Sequence, residues 1–181
     1  MISFLLFLLS AVLVAGASWL LFSFGAPYAA SSSERISDLT ELLDVQGNEK
    51  VVDLGAGDGR VLVALARVGA REAHGYEINP LLASRARKLI RQENLQDRVF
   101  IHQKSFWSAD LSPFDIIIVY GIGPMMRRLE WKLQKELRPG ARIASVYFKL
   151  PNWQAEKRLR DITLYVQRRD EHNGREKDEG P

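Results

Sequence analysis

The sequence predicts an α/β fold: a doubly wound, mostly parallel sheet preceded by one transmembrane helix. Three observations carry that expectation. Short apolar runs alternate with helix-patterned segments from residue 50 onward, the arrangement of an open sheet with right-handed crossovers. A glycine-rich turn directly follows the first of those runs, at the carboxyl end of a strand where such sheets bind ligands. Finally, the chain opens on 33 residues with no charged side chain, and the 25 basic and 22 acidic residues all follow, beginning at Glu34.

The uncharged start contains a 23-residue apolar run, ISFLLFLLSAVLVAGASWLLFSF, over positions 2–24. A helix needs ~20 such residues to cross a ~30 Å hydrocarbon core, so 1–24 read as a membrane anchor. A cleaved signal peptide is the alternative, since Ala15-Gly16-Ala17 offers a small-x-small site. Against it, the basic n-region is missing and the run continues through Trp19, Leu20, Leu21 and Phe24.

Residues 25–49 read as a connector and a first helix. Gly25-Ala26-Pro27-Tyr28 breaks the span, Ser31, Ser32 and Ser33 offer caps, and Ile36, Leu39, Leu42 and Leu43 share one helical face. The domain proper follows over 50–169. Strands are expected at 50–54, 73–78, 98–102, 114–120, 142–148 and 161–168, and helices at 58–68, 80–93 and 124–137. Asn79 is placed to cap the second of these helices, with Pro80 at its first position. FDIIIVY at 114–120 is apolar almost throughout, as a central strand buried on both faces should be. Residues 170–181 are polar and read as a frayed tail.

Composition narrows the chemistry. With no cysteine there is no disulfide scaffold, thiolate zinc site or cysteine nucleophile. Three scattered histidines, His74, His102 and His172, leave little for a metal centre, and none is expected. The net charge of +3 is too weak to argue for nucleic acid. Basic stretches such as Arg85, Arg87, Lys88 and Arg91 read as solvated helix faces.

The strongest chemical signal is Asp53-Leu54-Gly55-Ala56-Gly57-Asp58-Gly59-Arg60. A dinucleotide fingerprint, Gly-x-Gly-x-x-Gly, would need a glycine where Arg60 stands. Asp-x-Gly-x-Gly-x-Gly instead resembles motif I of the class I S-adenosylmethionine (SAM)-dependent methyltransferases, whose acid sits near the methionine amino group. Glu77, 18 residues after Gly59, stands where a carboxylate can accept from both hydroxyls of a ribose.

A third feature narrows the resemblance. Val119-Tyr120-Gly121-Ile122-Gly123-Pro124 follows the fourth strand, with Leu150-Pro151-Asn152-Trp153 near the end and Ala26-Pro27-Tyr28 just after the apolar run. Together these are similar to the membrane-anchored seven-strand protein-lysine methyltransferases that modify ATP synthase c-subunit or adenine nucleotide translocase. The resemblance implies a Rossmann-like fold, here with one C-terminal strand where that family has a hairpin, and hence C-terminally shortened. It implies that Asp53, Gly55, Ala56, Gly57 and Glu77 hold SAM; where such enzymes often carry an acid for the adenine after the third strand, this chain has Ser105, which can bond the adenine, and Phe106 or Trp107, which can stack on it. Pro27 and Tyr28 would line the methyl-donor end, and Tyr120 and Trp153 would join Tyr28 in shaping the acceptor site without a dedicated base. The implied protein is single-pass, its catalytic domain facing the cytoplasm, or the matrix in a mitochondrion, and its acceptor is a protein lysine near the membrane. A small molecule, a lipid headgroup or a non-catalytic SAM-binding scaffold remain the alternatives.

Overall fold

The computed structural model describes residues 31–168 together with Phe7, Leu9, Ser10, Val12 and Gly16. In chain order the elements are α1 (Ser33–Leu43), β1 (Lys50–Leu54), α2 (Arg60–Arg67), β2 (Glu72–Tyr76), α3 (Pro80–Gln92) and β3 (Val99–His102). A 3₁₀ turn (Phe106–Ser108) comes next, then β4 (Ile116–Tyr120), α4 (Gly123–Glu136), β5 (Arg142–Val146), β6 (Lys157–Leu159) and β7 (Ile162–Val166). The strands form one sheet in the order β3-β2-β1-β4-β5-β7-β6, parallel from β3 through β5 and antiparallel at β7 and β6. The chain winds one way from β1 and the other way from β4, so a crevice opens between their carboxyl ends.

Local chemistry explains the boundaries. The Ser32 hydroxyl accepts from the Arg35 amide and starts α1, which buries Leu39, Leu42 and Leu43. The Asn79 side chain accepts from the amides of Leu81 and Leu82, and Pro80 opens α3. Ile116, Ile117, Ile118 and Val119 are fully buried, because helices cover both faces of β4. Alternate residues of the strand feed separate cores: Ile117 and Val119 pack with α4, while Ile116 and Ile118 pack with α1 and α2.

Two expectations are corrected. The sheet is not shortened, because β6 pairs with β7 and completes seven strands. It escapes a sequence reading because it is a three-residue edge strand, Lys-Arg-Leu, with two exposed residues and no apolar alternation. The single-pass membrane topology is corrected: among the described residues no helix is long and apolar enough to cross a membrane, so no span supports the membrane as a partner. The longest of the helices named above, α4, has 14 residues and is amphipathic, short of the ~20 apolar residues a span needs. Most of the apolar run at 2–24, with Pro27 and Tyr28 and the tail, lies outside the described residues.

Gly75 fixes how closely the first turn sits on the sheet. It pairs with Asp53, and a Cβ there would meet the Ala56 Cβ at 2.5 Å and Leu62 Cδ1 at 2.6 Å. Gly75→Ala should therefore destabilise by about 1–3 kcal/mol through overpacking, read as a lower urea midpoint at unchanged slope. An unaltered midpoint would show that the turn is free to retreat.

Candidate active site

The sheet register brings the expected cofactor residues to one edge. Leu54, Tyr76, His102 and Val119 lie at the same level across β1, β2, β3 and β4, so the residues after them share the carboxyl rim. Gly55, Gly57 and Gly59 have φ of 108°, 56° and 81°, the left-handed region that favours glycine. This conformation folds the turn's amides inward. Those of Gly55 and Ala56 both donate to the Tyr76 carbonyl at 3.0 Å. The Gly57 amide donates to Glu77 Oε2 at 2.9 Å.

Glu77, the first residue after β2, is 7% exposed and bridges two segments. Its Oε1 also accepts from the Asn79 amide at 2.7 Å, tying the turn to the start of α3. Each oxygen keeps a second lone pair, so a ribose hydroxyl can still bond there. Asp53 differs. It is 1% exposed, and its Oδ1 has no hydrogen-bond partner. Burial, reinforced by the Glu77 charge, raises its carboxyl to about 7. An orphaned carboxylate oxygen beside a second acid is a place for a cation.

That arrangement decides between the two cofactor classes. A phosphate-binding turn points free amides at its ligand. Here the three amides from Gly55 to Gly57 are already engaged and two carboxylates flank them, a poor setting for an anion and a good one for a cationic, phosphate-free ligand. A Cβ on Gly55 would meet nothing within 4 Å, so the space beside the turn is open.

The remaining expected residues divide. Ser105 and Phe106 follow β3 at the same rim; the Ser105 hydroxyl accepts from the Trp107 amide at 3.3 Å, and the Phe106 and Trp107 rings stand 4.8 Å apart. Tyr120 ends β4 with its hydroxyl buried, and burial pushes the phenol up to about 12. Trp153 is not brought to the rim. Its indole N–H donates to the Val166 carbonyl at 3.3 Å, and Val166 pairs with Arg142, the first residue of β5. The indole therefore packs at the amino edge of the sheet beside Tyr165, away from the glycine turn. Arg35 and Tyr147, which no motif marked, do reach the Tyr120 side of the rim; the Arg35 guanidinium lies 4.9 Å from the Tyr147 ring centre.

The pattern defining the ANTKMT methyltransferase domain matches residues 53–157, from Asp53 of β1 to the first residue of β6. The chain belongs to that family. It is 38% identical over 128 residues to the adenine nucleotide translocase lysine N-methyltransferase of Mus musculus, covering 71% of this chain and 56% of that protein. It is 32% identical over 127 residues to the ATP synthase c-subunit lysine N-methyltransferase of Xenopus laevis, covering 70% of this chain and 55% of the relative. The chain thus spans little more than half the length of these relatives. An RNA methyltransferase from Salinibacter ruber, solved in complex with S-adenosyl-L-homocysteine, superposes with a TM-score of 0.72 at 27% identity, covering 84% of this chain and 97% of that one.

Membership of the ANTKMT methyltransferase family makes SAM the cofactor to test against these residues, and they fit it. The ligand is cationic at its amino group and sulfonium and carries no phosphate, matching the orphaned Asp53 oxygen and the engaged amides of the turn.

Proposed function

We propose that this protein is a SAM-dependent methyltransferase whose acceptor is the amine of a protein lysine. The unpartnered, buried Asp53 carboxylate carries the cofactor half of this reading; the lysine-directed relatives supply the acceptor half. When bound, the cofactor supplies a methyl group on a sulfonium, reactive enough that the protein needs mainly to position the partners and exclude water. Asp53 would bind the methionine ammonium, Glu77 the ribose hydroxyls, and Ser105 and Phe106 would border the adenine. The phenol of Tyr120, held near 12 by burial, stays protonated at neutral pH and does not act as base. His74 and His102 are engaged with each other at 3.0 Å, and His74 with Glu72 at 3.2 Å. Among the described residues these leave no free base for the acceptor amine, whose proton then passes to solvent.

The test is incubation of the full chain with a cell extract and methyl-tritiated SAM, followed by separation of protein, lipid and small molecules. Label should sit in protein and release N-methyllysine on acid hydrolysis. Label confined to lipid or small molecules would replace the acceptor, and no label with intact SAM binding would favour a scaffold. Gly57→Val provides a control on the cofactor site. It forces a branched side chain onto a φ of 56° and displaces an amide held by Glu77. SAM affinity should fall at least ~10-fold, the equivalent of one lost charged hydrogen bond, as read by calorimetry.

A further inference from the structure

We infer that Tyr147 grips the aliphatic stem of the acceptor side chain and determines which acceptors enter. This deepens the methyltransferase reading and rests on it. Tyr147 is the first residue after β5, the strand beyond β4, and 49% of it is exposed. Its φ is +70°, a left-handed conformation that a bulky aromatic adopts only under strain. Glycine would hold that turn without strain, and half of the ring faces solvent, so neither the backbone nor the core accounts for a tyrosine.

The ring is nevertheless held firmly. Its own amide donates to the Asp161 carbonyl at 2.8 Å. Arg35 lies over one face and is fixed by the Asp161 carboxylate, with Nε and Nη2 each 3.1 Å from Oδ2. The ring meets Tyr120 edge to face, centres 6.4 Å apart. Phe148 is 43% exposed and lies beside Gly123, the first residue of α4. Tyr120, Tyr147 and Phe148 thus gather aromatic surface at the carboxyl ends of β4 and β5. On the neighbouring strand stands Asp53, the acid assigned to the cofactor.

The chemistry of that surface suits a lysine. Its four methylenes pack on aromatic rings, whereas its amine must be neutral to attack. Arg35 already occupies the ring face that would attract an ammonium, and its positive charge favours the neutral form of an arriving amine. What remains of Tyr147 grips carbon and leaves the nitrogen free to reach the methyl.

The test compares two probes by calorimetry on the full chain. One is S-adenosylhomocysteine; the other is its analogue with nitrogen in place of sulfur, carrying a butyl arm that extends along the acceptor path. Wild type should prefer the armed analogue. Tyr147→Gly should retain its affinity for S-adenosylhomocysteine, lose about tenfold in affinity for the armed analogue, and melt no lower than wild type, because the backbone strain is relieved. Tyr147→Phe should keep the preference. If Tyr147→Gly still favours the armed analogue as wild type does, or loses both ligands together with its stability, the inference fails. If wild type binds neither probe, it is the methyltransferase reading that falls.

Discussion

Asp53→Asn is expected to stabilise the protein at pH 8 while weakening SAM binding by roughly 10- to 150-fold. The affinity loss is that of one charged hydrogen bond, ~1.5–3 kcal/mol. The stability gain follows from the raised carboxyl. In the folded chain Asp53 titrates at about 7 instead of 3.8, chiefly through burial and then through the Glu77 charge. The native state therefore holds the proton more tightly than the unfolded chain does, and stability falls as pH rises from about 4 to about 7. That rise corresponds to a penalty of about 4 kcal/mol at most, all of it present above pH 7. An asparagine escapes that penalty but leaves its own amide unpaired, at about 1–3 kcal/mol. The net change is still a gain at pH 8, and near pH 4, where wild type is already neutral, it reverses to a loss of about 1–3 kcal/mol.

The same carboxyl gives a second readout. A ligand ammonium needs the ionised form, so wild-type SAM affinity should fall about tenfold per unit of pH below 7, and that slope should be absent in Asp53→Asn. Calorimetry and thermal melts between pH 5 and 8 check both. Parallel melting curves for the two proteins across that range would remove Asp53 from the role of waiting counter-ion.

What the sequence disclosed, and what it hid, follows from how far each signal reaches. The order of β1 to β5 is legible because β1, β4 and β5 are short runs buried on both faces and each helix between the strands shows one apolar stripe. Asn79 and Pro80 mark the start of α3 because capping is local chemistry. Glu77 is legible by its distance from the glycines, but its two amide bonds are not; they depend on the turn curling back over β2. Trp153, expected at the acceptor site through the resemblance, is not brought there because the antiparallel course of β7 carries its partner, the Val166 carbonyl, to the opposite edge. Tyr147 carried no motif, since a backbone angle leaves no mark in a single sequence.

Glu77→Ala should lower SAM affinity by more than 100-fold and, unlike Asp53→Asn, unfold more readily. The two acids are neighbours with opposite duties. Asp53 leaves an oxygen unpartnered, whereas each oxygen of Glu77 holds a backbone amide, one in the glycine turn and one at the start of α3. Deleting the carboxylate orphans both donors, and hydrogen bonds to a charged acceptor are worth about 1.5–3 kcal/mol each. Part of that loss is returned, because the Glu77 charge is itself one of the causes that raise Asp53. A net destabilisation of about 2–4 kcal/mol remains. Binding suffers twice, through the missing ribose partner and through a turn no longer held in its left-handed course. Glu77→Gln should fall between wild type and alanine, since its one carbonyl can serve either amide while its NH₂ faces the other as donor against donor. Urea midpoints and SAM titrations of the three proteins at pH 8 measure both effects. A Glu77→Ala protein as stable as wild type would show that the turn stands without its carboxylate, and one binding SAM within twofold of wild type would remove Glu77 from the cofactor site.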